Sequence, residues 1–171
     1  MVFNFILGIQ EVNKEKVKVN CREAVRGIII RNGELLMVNS NKGDYKFPGG
    51  GVKSGENHSE TLIREVREET GYIISKVKER IGIIIERNID EFEKDSIFEM
   101  VSHYYVCEVL ESQVELELDD YETELDFCPQ WINIDTVINK NERILKIARP
   151  DINHWVHRET AVLHELKAII T

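Results

Sequence analysis

Residues 50–72 read GGVKSGENHSETLIREVREETGY. Residues 57–70 have the pattern of a helix, and Gly71 stands where a left-handed C-cap belongs. At about 100° per residue, Leu62, Ile63 and Val66 form one apolar stripe, and Glu60, Arg64 and Arg67 lie on the far side. Glu65, Glu68 and Glu69 gather in an arc about 100° wide beside the apolar stripe. Each close like-charge pair costs a helix a few tenths of a kcal/mol. A helix needing only solubility would spread its charges, so the arc reads as the seat of a cation. A plain solvated acidic face is the competing reading.

Three carboxylates on one face suit a hard divalent ion such as Mg²⁺ or Mn²⁺. Arg64, four residues before Glu68, is placed to orient that carboxylate. If repulsion dominates the cluster, Glu69→Gln leaves the metal-free protein as stable as the parent or slightly more so. Gly49, Gly50 and Gly51 precede the helix. They can take φ > 0 and expose backbone N–H groups with no side chain in the way, so the loop can approach an anion closely or position a strand end near the metals.

Outward from this stretch the chain alternates between strands and helices. Residues 25–31 and 35–39 are apolar runs joined at Asn32-Gly33, a strong hairpin signal. Residues 81–86 and 98–109 are β-branched or aromatic, as strands are. Residues 114–118 alternate strictly and read as a half-exposed strand. Residues 131–134 form a short strand, after which Asp135 caps a turn. Ile152, Trp155, Val156, Leu163, Leu166 and Ile170 fit an amphipathic helix over 152–171. The expectation is a single α/β domain over residues 1–171, mostly β, with one helix inserted mid-chain and one at the end.

The 171 residues are 42% hydrophobic and 31% charged, the proportions of an ordinary globular chain. Cys21, Cys107 and Cys128 are odd in number and show no paired spacing. That argues against a disulfide framework or a zinc site and suits a reducing, cytoplasmic setting. The opening MVFNFILGIQEVNK has no basic n-region, so residues 1–20 read as a strand or terminal arm. No run approaches the length of a membrane span. The net charge is −9, and residues 108–126 hold nine acids with no Lys or Arg. Outside that run, 31 − 9 = 22 acids face 22 bases. No basic patch advertises nucleic acid. The acidic run reads as a solvated loop and edge strand, unless one of its carboxylates reaches the metal.

The spacing within this stretch resembles the signature of the Nudix (MutT-like) hydrolases. Gly50, Glu56, Arg64, Glu65, Glu68, Glu69 and Gly71 occupy all seven fixed positions. At roughly 7% per residue, chance gives about 10⁻⁸ per window, so the match carries weight. Tyr72 departs from the family, which has an aliphatic residue there. DYKFPGG and CREAVRGIII also resemble the family's approach to the box and its first core strand. The resemblance implies an α/β/α sandwich with a mixed sheet between helices. It also implies hydrolysis of a nucleoside diphosphate linked to another moiety X, using Mg²⁺ or Mn²⁺. By position, Glu65, Glu68 and Glu69 would be metal ligands, with Glu56 supporting or joining them, and Arg64 would orient the glutamates. Glu65 is the favoured general base. A loop acid competes with it: Glu122 or Glu124, with Asp120 and Asp126 behind them.

Arg22, Arg26 and Lys46 are candidates for substrate phosphates. His58 reads as an exposed helix-start residue. His103, His154, His157 and His164 lack metal-ligand spacing, and Trp131 and Trp155 read as core. A nucleotide-sensing binding module and an allylic diphosphate isomerase are the alternatives. The isomerase would need a cysteine in the cleft, and none has a suggestive context. ADP-ribose hydrolases of the family tend to carry a proline about sixteen residues past the box, where this chain has Arg87 and Asn88. Dinucleoside polyphosphate hydrolases often carry a tyrosine in that region, and the nearest here is Tyr104. Residues 1–20 and the last helix are candidates for lining a pocket or a homodimer interface.

Overall fold

The computed structural model describes residues 1–147 and 149–170. In chain order the elements are β1 (Phe3–Gly8), β2 (Lys18–Ile28), β3 (Ile30–Arg31), β4 (Glu34–Asn39), β5 (Tyr45–Lys46) and α1 (His58–Thr70). There follow β6 (Tyr72–Ile89), β7 (Ser96–Gln113), α2 (Asp120–Glu124), β8 (Cys128–Asn133), α3 (Ile134–Ile147) and α4 (Val156–Ile170). Thr171, in the expected last helix, lies outside the described residues.

The first sheet has the order β1-β6-β7-β2. It is mixed: β6 and β7 form a long antiparallel hairpin, while β1 and β2 flank it in parallel. In the second sheet, β4 pairs antiparallel with β3, β5 and β8. Asn32 (φ 50°) and Gly33 (φ 80°) make the tight β3–β4 turn, both left-handed as a two-residue hairpin turn requires.

The strands lie between helices, and β4 explains how. Leu35 and Met37 join the core cluster of Val137, Ile138 and Leu163 from α3 and α4. Leu36 joins Leu62 and Val66 of α1 in another. A strand covered on both faces reads as a continuous apolar run, as Leu35–Val38 does. The fold is therefore the expected mixed α+β architecture.

Three local expectations need correction. Residues 114–118 are not a strand. They are extended chain laid along the end of α1, with Val114 N donating to Gly71 O and Glu117 N to Glu68 O. The turn expected after β8 is the fourteen-residue helix α3. The last helix begins at Val156, four residues later than expected, with Trp155 just before it.

Candidate active site

The glycine loop and α1 are fixed against β2. Val25 N donates to Gly50 O, Gly27 N to Pro48 O and Val52 N to Glu23 O, so the loop runs along the strand as a makeshift neighbour. Asn57 then caps α1 in a reciprocal capping box with Glu60, and Gly71 closes it at φ 72°. These anchors set the rotation of the helix. Its three glutamates point toward the loop.

The glycines serve differently from one another. Only Gly49 has positive φ, at 141°, and its N–H donates to Glu69 Oε2 at 2.9 Å. Gly50 and Gly51 have ordinary φ, so close approach and not a left-handed backbone is what those two positions require. They are small because of what lies against them. A Cβ on Gly50 would collide with the Glu65 carboxylate, and one on Gly51 would come within 2.7 Å of Arg22 Nη2.

Arg64 organises the outer carboxylates. Its Nε and Nη2 donate to the two oxygens of Glu56 at 2.6 and 2.8 Å. Nη1 donates to Glu65 at 2.5 Å and to Glu68 at 3.2 Å. Hydrogen bonds from Arg64, Thr61 and the Lys53 backbone hold Glu56 down at about 2.

Glu69 belongs to a deeper layer. It is 1% exposed and pairs with buried Lys46 at 2.5 Å. Burial still raises its proton affinity, against the pull of Lys46. This pairing overturns the stability expectation for Glu69→Gln. Buried Lys46 loses its counter-charge in that variant, so the metal-free protein loses stability.

Glu65, Glu69 and Glu122 bring carboxylate oxygens within 4.8 Å of one another. Glu122 comes from α2, where it forms a capping box with Asp119. Burial, and then the Glu69 charge, push Glu122 up to about 7. The loop acid that reaches the helix glutamates is thus Glu122. Glu124 is exposed and, like Asp120 and Asp126, does not line the cavity. Glu68 stays at the outer rim with Arg64.

The three carboxylates line a cavity of about 280 Å³, and Arg22, Arg26, Lys46 and Arg158 also line it. Arg26 is buried, donates to Gly49 O, and leaves its Nε without a partner. Arg158, on α4, is fully buried and held by Glu86, Glu159 and the Tyr104 hydroxyl. Arg158, Asp119, Tyr121 and Phe127 were not legible as site residues, because residues far from the box carry no spacing signal of their own. Trp155 is core, at 4% exposure, yet it borders the cavity, while Trp131 is half-buried. Cys107 is buried, with its thiol pushed up to about 12. None of the three cysteines lines the cavity, so the thiol an isomerase would need is not in it.

The donor set fits a hard divalent cation: three carboxylates converge, and the proton affinity of two of them is raised by burial. Glu65 and Glu69 can hold such an ion while Arg64 and Gly49 fix their outer oxygens.

A family profile described as NUDIX domain matches residues 22–155. An ADP-ribose pyrophosphatase of Methanocaldococcus jannaschii is 28% identical over 145 residues, 82% of this chain and 80% of that one. Among solved structures, a NUDIX hydrolase from Nitrosomonas europaea gives a TM-score of 0.56 at 17% identity, covering 87% of this chain and 90% of that one. A MutT NUDIX hydrolase from Burkholderia pseudomallei gives 0.54 at 16% identity, covering 86% and 98%. These likenesses are ones of fold.

Proposed function

Because the chain belongs to the NUDIX domain family and is a pyrophosphohydrolase, we propose that it cleaves the diphosphate bond of a nucleoside diphosphate linked to a second moiety, with Mg²⁺ or Mn²⁺ as cofactor. The observation that carries this reading is that one cavity is lined both by the converging carboxylates Glu65, Glu69 and Glu122 and by the cationic side chains Arg22, Arg26, Lys46 and Arg158. A diphosphate needs both: anion donors for its outer oxygens and a cation-holding face at the bond that breaks.

When bound, the cation neutralises phosphoryl charge and lowers the pKa of water. Glu65 and Glu69 hold it. Arg64 keeps Glu65 and Glu68 from turning away. Glu122, whose second oxygen is tied to the Asp119 N–H, takes the proton of the attacking water with its other oxygen. This assigns the proton to the loop acid, not to Glu65, because Arg64 holds Glu65 Oε1 at 2.5 Å and the cation would take the other Glu65 oxygen. Arg26 lines the cavity and supplies positive charge to the substrate's phosphate oxygens.

The relative named an ADP-ribose pyrophosphatase supports ADP-ribose as the first substrate to try. The absent proline beyond the box argues for also testing nucleotide sugars, deoxynucleoside triphosphates and dinucleoside polyphosphates. The test is a screen of these substrates with Mg²⁺, Mn²⁺ or EDTA. Metal-dependent release of a nucleoside monophosphate is expected. A binding module that only senses nucleotide would turn over none of them. We place the enzyme in the cytoplasm. Among the described residues no helix is long and apolar enough to cross a membrane.

A further inference from the structure

On the opposite face of β2 from the cavity lies a second cluster of ligating groups. Arg22, Ala24 and Arg26 line the catalytic cavity, so by alternation Glu23 points the other way. There it meets His58, from the first turn of α1, and His103 of β7, the strand beside β2. One carboxylate oxygen and two ring nitrogens lie within 4.8 Å of one another. His103 Nε2 is 3.2 Å from Glu23 Oε1, and His58 Nε2 is 3.9 Å from the same oxygen. The two imidazole centroids are 4.5 Å apart.

We propose that Glu23, His58 and His103 bind one borderline divalent cation of the Zn²⁺ or Co²⁺ type, separate from the carboxylate site that takes Mg²⁺. Tetrahedral coordination with bonds of about 2.1 Å sets ligand atoms about 3.4 Å apart. The observed separations bracket that value, so closing on an ion requires only small side-chain movements. Imidazole nitrogen favours zinc or cobalt over magnesium, whereas the three-carboxylate set favours magnesium. The His58 ring is already oriented. Its Nδ1 lies 2.8 Å from the Tyr105 hydroxyl, the outer-layer partner that a metal-binding histidine commonly has, and this leaves Nε2 free. Glu23 is exposed and His58 half-buried, so an ion and a water as fourth ligand can arrive from solvent.

Arg80 opposes the ion. Its Nη1 lies 3.3 Å from His103 Nδ1. A guanidinium only donates, so in the metal-free protein Nδ1 accepts and Nε2–H faces Glu23. Binding an ion on Nε2 moves that proton to Nδ1 and displaces the exposed Arg80 from it, leaving Arg80 its bond to Tyr105. Without an ion, the same groups are an ordinary hydrogen-bond chain tying β7 to β2.

The experiment is a Co²⁺ titration of the parent in saturating Mg²⁺, followed by visible absorption, with melting temperature measured alongside. One equivalent should bind with the bands of a low-coordinate nitrogen–oxygen site and raise the melting temperature by mass action. His58→Ala and Glu23→Gln, both at solvent-reachable positions, should each weaken binding by at least about tenfold. Both should leave Mg²⁺-dependent hydrolysis unchanged, which also reports that they fold. Arg80→Gln should tighten binding by up to about tenfold, since it removes a cation a few ångströms from a dication. Equal Co²⁺ affinity in parent and His58→Ala would overturn the proposal. So would Co²⁺ binding that is lost in Glu69→Gln and kept in His58→Ala, because the ion would then sit among the carboxylates.

Discussion

Arg64 grips both oxygens of Glu56, at 2.6 and 2.8 Å, and carries its remaining donor to Glu65 and Glu68. Glu56, Glu65 and Glu68 are thereby steadied by one guanidinium fork, whose planar geometry matches a carboxylate in two-point contact. Because Glu56 titrates near 2, below the ordinary glutamate value of 4.5, its contribution to stability is present above pH 4.5 and lost as pH falls toward 2. Glu56→Gln should therefore melt below the parent at neutral pH, and the gap should close between pH 4.5 and 2. A gap that stays constant down to the lower pH would show that Glu56 is not held by its charge.

Neighbouring glycines should fail in different ways. Gly50 has ordinary φ, and the nearest atoms to an added Cβ are those of the Glu65 carboxylate. Gly50→Ala should keep its melting temperature within a few degrees and lose turnover by about 10²-fold, as a displaced ligand would cause. Gly49 has φ 141° and faces the Val25 carbonyl. Gly49→Ala should cost about 1–3 kcal/mol of stability. Urea melts and one rate assay on the two variants check both statements.

Lys46 and Glu69 form a pair in which both side chains are almost wholly buried. Lys46→Met strands the carboxylate and should destabilise the metal-free protein by about 3–5 kcal/mol. Burial already raises the Glu69 pKa, and loss of Lys46 raises it further. A carboxylate with a raised folded-state pKa destabilises only above its unfolded pKa. The deficit should therefore be small near pH 4.5 and grow toward neutral pH. Added Mg²⁺ should narrow it. A pH-independent deficit would mean that the loss is one of packing alone.

The helix α1, its C-cap and the Asn32-Gly33 turn were legible because each rests on local signals: periodicity, a left-handed glycine, a two-residue turn. The helix α3 was not. Its buried stripe includes Asn141, which bonds both the N–H and the C=O of Tyr45 and interrupts the apolar spacing where a leucine would have revealed it. Residues 114–118 misled in the opposite sense. They alternate, yet Val114 and Leu116 stay exposed; the segment is tied to the end of α1 by backbone hydrogen bonds and pairs with no strand. At the site, the acidic run pointed to a loop acid, but only the folded position of α2 brings Glu122, and not Glu124, to the helix glutamates. Arg158 is bound by residues from β6, β7 and α4, and no sequence spacing encodes that meeting. The same limit applied to His58 and His103, which are 45 residues apart in sequence (103 − 58) and adjacent in space.

The central claim is that Glu65 and Glu69 hold a catalytic cation against a cationic substrate wall. Its most direct test is hydrolysis of ADP-ribose or the best substrate of the screen, measured as a function of Mg²⁺ concentration in parent, Glu65→Gln and Glu69→Gln. The parent should be inactive in EDTA and saturate with Mg²⁺. Both variants should need more Mg²⁺ and, at saturation, turn over at least about 10²-fold more slowly. Superimposable Mg²⁺ curves in all three proteins, or full parent activity in EDTA, would contradict the account.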